Sequence, residues 1–250
     1  MPEFVRSETA DRIVTVTLDS PANRNALSRR LVIELGQALQ DAAADQDAHA
    51  VLLTHTGTTF CSGAALDEMR DGSSPTTGAT GDLLALFRQL LTLPIPVVAR
   101  VDGAARAGGI GLLAACDIVL AATSSTFAFT EVRLGLAPAL ISLPLRPLLT
   151  ARAASLYFLT GETFDAITAA QIGLVTAAAD DVGTLVGPVL DSLRRADRQG
   201  LRETRPLTTR DRLRAIDADG AAMAELSGRL FASPAAQGHF AAFLDRKSES

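Results

Sequence analysis

The spacing of apolar residues along the chain switches between strand and helix periods, which predicts an α/β fold. Residues 12–18 (RIVTVTL) alternate apolar and polar side chains and are rich in β-branched residues, as in a strand. From Ser28, a candidate N-cap, apolar residues recur at helical spacing to about Ala44. Further strands are predicted at 50–57, 97–103, 118–122 and around 127–129. Further helices are predicted at 83–93, 109–116, 151–159, 164–173, 185–195, 205–217, 221–230 and 235–246.

The alternation of strands and helices stops near residue 182, and only helical patterns follow. This change predicts a core domain over residues 1–181 and a helical region over 182–250. The polar stretch 71–82 (DGSSPTTGATGD) predicts a mobile surface segment. Prolines between 138 and 147 predict short irregular steps there.

Composition favours a small-molecule partner. Of 250 residues, 48% are hydrophobic and 20% charged, the formal net charge is −5, and only 4% are aromatic, which argues against nucleic acid. No apolar run is long enough to span a bilayer and no signal peptide is visible, so we expect a cytoplasmic protein without a membrane partner. Cys61 and Cys116 fit neither a disulfide framework nor a zinc motif, so we expect reduced core cysteines and no metal site.

The central stretch 98–122 predicts strand, glycine-rich loop and helix, with Gly108, Gly109 and Gly111 at the helix start. Unpaired N–H groups and the positive end of the helix dipole favour an anion there, whether standing or transient. A dinucleotide motif, Gly109-x-Gly111-x-x-Ala114, matches formally, but five residues separate the glycines from the strand, and Glu131 lies beyond the next strand. Neither a phosphate-binding lysine loop nor a serine-nucleophile elbow is present.

Six ordered blocks of the chain resemble the crotonase superfamily, also called the enoyl-CoA hydratase/isomerase family. They are 23–28 (NRNALS), 60–64 (FCSGA), 102–117 (DGAARAGGIGLLAACD), 127–135 (FAFTEVRLG), 160–175 and 241–246. Within the family, the sequence most resembles bacterial members similar to methylglutaconyl-CoA hydratase. The resemblance implies a ClpP/crotonase-like spiral of ββα units, a C-terminal helical region that packs between subunits, and a homotrimer or dimer of trimers.

The resemblance also implies an acyl-CoA substrate whose enolate oxygen is held by two backbone N–H groups, here those of Ala64 and Gly108. Coenzyme A is then part of the substrate, and no separate cofactor is expected. The implied substrate and CoA contacts are Arg24, Ala26, Ala64, Ala65, Leu66, Gly108, Gly109, Pro138 and Lys247, with Arg246 or Lys247 reaching a phosphate from a neighbouring subunit. Without the resemblance, the favoured explanation of the glycines is that they allow tight turns and close helix packing.

By resemblance, Glu131 is the catalytic acid and base, whereas Gly111 stands where family hydratases carry a second glutamate. Ala65 stands where an aspartate is usual. The apolar neighbours of Glu131 should raise its pKa and suit it to proton transfer near neutrality. A simpler role for Glu131 is an ion pair with Arg133 or a backbone cap.

The leading functional hypothesis is an enoyl-CoA hydratase acting on a 2-enoyl-CoA. The alternatives are a single-acid Δ3,Δ2-enoyl-CoA isomerase, a catalytically silent acyl-CoA-binding paralog, and a thioester hydrolase or decarboxylase on the same scaffold. Residues 83–93, the predicted mobile segment before them and residues 136–145 are expected to line an apolar acyl tunnel.

Overall fold

Two β-sheets organise the fold. The computed structural model describes residues 3–65 and 77–248, with the backbone alone for 77–79 and 243–248. The strands are β1 (Val5–Ala10), β2 (Ile13–Leu18), β3 (Ala50–His55), β4 (Thr59–Cys61), β5 (Val97–Val101), β6 (Ala104–Arg106), β7 (Ile118–Ala122), β8 (Thr126–Ala128), β9 (Phe164–Asp165) and β10 (Ala177–Ala179). One sheet has the order β1-β2-β3-β5-β7-β10 and the other β4-β6-β8-β9, and all pairs are parallel except β1–β2 and β8–β9.

Helices follow the strands in a repeated order. They are α1 (Arg29–Ala44), α2 (Thr77–Thr92), α3 (Gly108–Ala115), α4 (Ala139–Leu145), α5 (Ala151–Thr160), α6 (Ala166–Gln171), α7 (Gly183–Arg195), α8 (Arg198–Phe231) and α9 (Pro234–Ser248). In β3-β4-α2, β5-β6-α3 and β7-β8-α4, a longer strand joins the first sheet and a short strand joins the second. The predicted spiral of ββα units is therefore confirmed.

Strands and helices are found where the apolar periodicity predicts them and where one face of the element is buried. In β2, Val14, Val16 and Leu18 are buried in the main core. Helix α1 begins as predicted, because the Ser28 side chain accepts a hydrogen bond from the Leu31 N–H at 3.2 Å. Cys61 and Cys116, expected to be reduced core residues, are indeed free and buried.

Several predicted boundaries were wrong. Helix α2 begins at Thr77, so only residues 71–76 of the predicted mobile segment remain, and these lie outside the described residues. The segment 164–173 divides into β9 and α6 because the side chain of Asp165 caps the helix by accepting from the Thr168 N–H. Residues 139–145 form α4 despite Pro144.

The two helices predicted at 205–217 and 221–230 are one continuous helix, α8. Gly220 does not end it, because this glycine is a packing position. A Cβ there would lie 2.9 Å from Leu84 Cδ2 on α2.

Helix α8 is attached to the core by buried charge. Arg205 Nε lies 2.8 Å from Asp117 Oδ2, and Arg212 donates to the carbonyl oxygens of Ala114 and Cys116 at 2.8 and 2.7 Å. Ile216 is buried in the main core cluster. The helical region beginning near residue 182 therefore packs on the core of the same chain, and its predicted role between subunits stays a prediction. Within residues 3–65 and 77–248, no helix is long and apolar enough to cross a membrane.

Candidate active site

The start of α3 combines unpaired backbone donors with tight packing. Gly108 and Gly109 occupy the first two helical positions, whose N–H groups have no partner inside a helix. A Cβ at Gly108 would lie 2.7 Å from Leu27 Cδ1, and a Cβ at Gly109 would lie 2.6 Å from the Cys61 carbonyl oxygen. Close packing therefore requires both glycines, and this packing also brings the helix N-terminus against the loop that follows β4.

That loop carries Ala64, the second predicted donor. Gly63 has φ +89°, and its carbonyl accepts a hydrogen bond from the Leu27 N–H at 2.8 Å. A Cβ at Gly63 would lie 3.5 Å from the Gly108 nitrogen, so the two segments are in contact. Among the hydrogen bonds of the described residues, none uses the N–H of Ala64 or of Gly108. The structure thus brings the two predicted donors to one place with their hydrogen-bonding capacity unused.

Glu131 is brought to the same end of α3 by strand pairing. The Ala107 N–H donates to the Ala128 carbonyl at 3.2 Å, and the chain then enters a 3-10 helix, Thr130–Leu134, that contains Glu131. The residue is only 8% exposed, and among the described residues no hydrogen-bond partner lies near its Oε2.

Burial raises the pKa of Glu131 to about 7, in the direction expected from its apolar neighbours. The side chain of Arg133 instead donates to the Thr160 carbonyl at 3.4 Å, and no ion pair with Glu131 is found among the described residues. The ion-pair role for Glu131 is therefore not supported. A buried carboxyl with an unpaired oxygen and a near-neutral pKa is suited to taking up and returning a proton.

Gly111 has no space for a side chain. A Cβ there would lie 2.5 Å from Phe87 Cζ and 2.7 Å from Ile141 Cγ2. Because Gly111 lies three residues after Gly108, the two share one face of α3. Apolar side chains from α2 and α4 therefore fill the position where a second acid would stand, on the face that begins at the predicted donor. These contacts come from two of the segments expected to line an acyl tunnel.

The predicted CoA contacts differ in their exposure to solvent. Arg24 is exposed, in the left-handed conformation at φ +59°, and its carbonyl accepts a hydrogen bond from the Ser62 N–H at 3.1 Å. No ion pair involves the Arg24 side chain within the described part of the chain. Ala26 is buried, whereas Ala65 is half-buried directly after Ala64. Arg24 thus offers an unpaired guanidinium on the segment that precedes the donor loop.

Pro138 is the N-cap residue of α4 and lies three residues before Ile141. Two further predicted contacts are Leu66, which lies outside the described residues, and Lys247, whose side chain is not described.

One buried polar residue beside Arg24, Asn25, was not predicted as a site residue. Asn25 accepts the Ser20 N–H at 2.7 Å and donates to the carbonyls of Thr56 and Thr59 at 3.1 and 2.8 Å. It fixes the segment before β4 against the segment that carries Arg24. The available signal was an asparagine, a residue type that tolerates the left-handed conformation found here at φ +51°, but two of its three partners lie more than 30 residues away along the chain.

A family model, solved structures and a curated relative that match this chain are all described as enoyl-CoA hydratases or acyl-CoA isomerases. A family model described as enoyl-CoA hydratase/isomerase matches residues 8–245. A crystal structure of an enoyl-CoA hydratase from Mycobacterium avium superposes with a TM-score of 0.90 at 42% identity, covering 98% of each chain. An enoyl-CoA hydratase structure from Mycobacterium smegmatis superposes with a TM-score of 0.79 at 26% identity, covering 98% of this chain and 97% of the other. The 1,2-epoxyphenylacetyl-CoA isomerase of Escherichia coli is 30% identical over 187 residues, 72% of this chain and 71% of its own length.

Proposed function

We propose, from the premise that the chain belongs to the enoyl-CoA hydratase/isomerase family, that this enzyme hydrates a 2-enoyl-CoA thioester through an enolate. The observation that carries the proposal is that two unpaired N–H groups, at Ala64 and Gly108, and the buried carboxyl of Glu131 lie on segments that adjoin at the N-terminal end of α3. The thioester carbonyl would accept both N–H groups. Fixed donors of this kind stabilise the negative charge that develops on the oxygen, and each contributes about 3 kcal/mol to lowering the barrier.

Glu131 would move the proton. In hydration, its carboxylate takes a proton from water while the water oxygen bonds to C3 and the C2=C3 electrons shift toward the thioester oxygen. The protonated carboxyl then returns that proton to C2, and the carbonyl reforms. A pKa of about 7 supports this role, because both protonation states are accessible near neutrality.

Isomerisation of a 3-enoyl-CoA is the second candidate, and the packing at Gly111 favours it. One carboxylate is sufficient to take a proton from C2 and return it to C4, and no water has to be held. Phe87 and Ile141 leave no room for a second carboxylate beside Gly111. Among the described residues, hydration would then use Glu131 as the one assigned acid and base, whereas isomerisation requires no second acid.

CoA binding and assembly complete the proposal. We assign Arg24 and the backbone from Ala64 onward to the CoA moiety, on the basis of the unpaired guanidinium beside the donor loop. A homotrimer or dimer of trimers remains our expectation, and the exposed leucines Leu156 and Leu159 on α5 are compatible with a covered surface.

Turnover of two substrates separates the candidates. Loss of the crotonyl-CoA absorbance reports hydration, and its appearance from a 3-enoyl-CoA reports isomerisation. Release of free CoA thiol or of CO₂ would instead indicate a hydrolase or decarboxylase. Binding of acyl-CoA without turnover across a broad panel would indicate the silent paralog.

Glu131→Gln tests the assigned role, with Glu162→Gln, at an exposed glutamate, as its matched control. We expect kcat to fall by about 10²–10⁴-fold in the first variant and to stay within twofold in the second. Near-normal turnover by Glu131→Gln on every substrate that the wild type accepts would refute the assignment.

A further inference from the structure

The two short strands that lead to the proposed donors are paired with each other. Strand β4 runs into the loop with Ala64, and β6 runs into the start of α3 at Gly108. Their register pairs Thr59 with Ala104 and includes an irregularity before Cys61. The relative position of the two N–H groups therefore depends on how these strands, and the turns that precede them, sit against each other.

His55 joins the two turns. It is the last residue of β3, and its Nε2 accepts a hydrogen bond from the Asp102 N–H at 3.0 Å, just beyond the end of β5. An accepting Nε2 places the ring proton on Nδ1, which faces the Thr56 carbonyl at 3.4 Å. The ring also meets Phe60 of β4 edge-to-face, with centroids 5.6 Å apart. Burial lowers the pKa of His55, which keeps Nε2 free to accept at neutral pH.

The turn at Gly103, beside His55, is tightly packed against the turn at Thr58. A Cβ at Gly103 would lie only 2.2 Å from the Thr58 carbonyl oxygen, and the Ala104 N–H donates to the same oxygen at 3.2 Å. Close-packed backbone of this kind transmits displacement instead of absorbing it. A shift of Asp102 would therefore move the β4–β6 pair and, through it, the two donor segments.

We propose that His55 is a positioning residue for the enolate site, holding the turn before β6 against the turn before β4 so that the N–H groups of Ala64 and Gly108 converge. Its functional part rests on the function proposed above. His55 itself touches neither donor, so its effect is on geometry and not on proton transfer. Misplaced donors lose stabilisation of the developing charge more than they lose ground-state binding.

The test compares both ends of one strand. His49 lies just before β3, with its Nδ1 3.3 Å from the Leu193 carbonyl oxygen, and His55 ends that strand. We expect His55→Ala to lower kcat about tenfold with KM within twofold, and His49→Ala to leave both unchanged. His55→Gln, whose side-chain oxygen can accept the Asp102 N–H, should recover most of the lost kcat. Should the alanine variant fail to fold in circular dichroism, His55→Phe, which keeps the ring against Phe60 but cannot accept the Asp102 N–H, replaces it with the same expected loss of kcat.

Hydrogen–deuterium exchange gives a readout that needs no turnover. Peptides covering β4 and β6 should exchange severalfold faster in His55→Ala than in wild type or His49→Ala, while peptides of α1 stay unchanged. Equal exchange, or a kcat for His55→Ala equal to that of His49→Ala, overturns the proposal. If the wild type turns over no acyl-CoA, the proposed function fails, and exchange alone decides whether His55 holds the two turns.

Discussion

The buried carboxyl of Glu131 should make the stability of this protein depend on pH. Its pKa rises from an ordinary 4.5 to about 7 in the folded state because burial disfavours the charged form. Between these values the folded state holds a proton that the unfolded state has released, so the free energy of unfolding falls as pH rises. At about 1.4 kcal/mol for each pH unit, the full difference is about 3 kcal/mol above pH 7.

Glu131→Gln removes this dependence, since the amide stays neutral at every pH. Urea unfolding between pH 6 and pH 8.5 avoids the isoelectric region near 5.2 and still covers about 1.4 kcal/mol of the change. We expect the glutamine variant to gain that amount relative to wild type across this range, whereas the exposed control Glu162→Gln runs parallel to wild type. Parallel curves for Glu131→Gln and wild type would show that the carboxyl is not held neutral by burial, and the argument for its proton-transfer role would fail with it.

Two further predictions concern packing and buried charge. Gly111→Ala should destabilise the protein by about 1–3 kcal/mol in urea unfolding, because its Cβ would overlap Phe87, whereas Gly228→Ala, in a helix with open space, should stabilise it by about 0.5–1 kcal/mol. A stabilising Gly111→Ala would contradict the packing. Arg212→Met should cost about 3–5 kcal/mol, since it leaves Asp117 and two carbonyls short of a partner, while Arg210→Met, at an exposed arginine of the same helix, should change stability by less than about 0.5 kcal/mol. Equal effects of the two arginine variants would argue against a buried charge cluster.

The sequence patterns predicted helices and strands wherever one face is apolar. They failed where contacts between residues far apart in the chain determine whether an element forms or where it ends. Strand β1 was not predicted, because every residue in it except Val5 is exposed and polar side chains leave no period to detect. Its order comes from antiparallel pairing with β2. The continuity of α8 depends on Gly220 meeting Leu84, and the closure of the space at Gly111 depends on two other helices. Spacing along the chain carries none of this information.

The sequence predicted the candidate donors and the acid of the site, but not the side chains that fix the backbone segments around them. The proposed donors, Ala64 and Gly108, and the role of Glu131 were predicted from the resemblance, and the apolar neighbours of Glu131 supported its role in proton transfer. Asn25 and His55 were missed as positioning residues, since an asparagine in a turn and a histidine at a strand end are common and acquire meaning only through partners far along the chain.

A site built from backbone N–H groups depends on everything that fixes the helix bearing them, and α3 is held at both ends. At its N-terminus, Gly108 and Gly109 pack on neighbouring segments with no intervening side chain. At its C-terminus, Arg212 donates to the carbonyls of Ala114 and Cys116 and places a positive charge at the negative end of the helix dipole. That arginine comes from α8, within the region that the sequence separates from the core. Helix α8 therefore contributes to holding α3 within a single chain, because its buried Arg212 guanidinium binds the end of α3 opposite to Gly108.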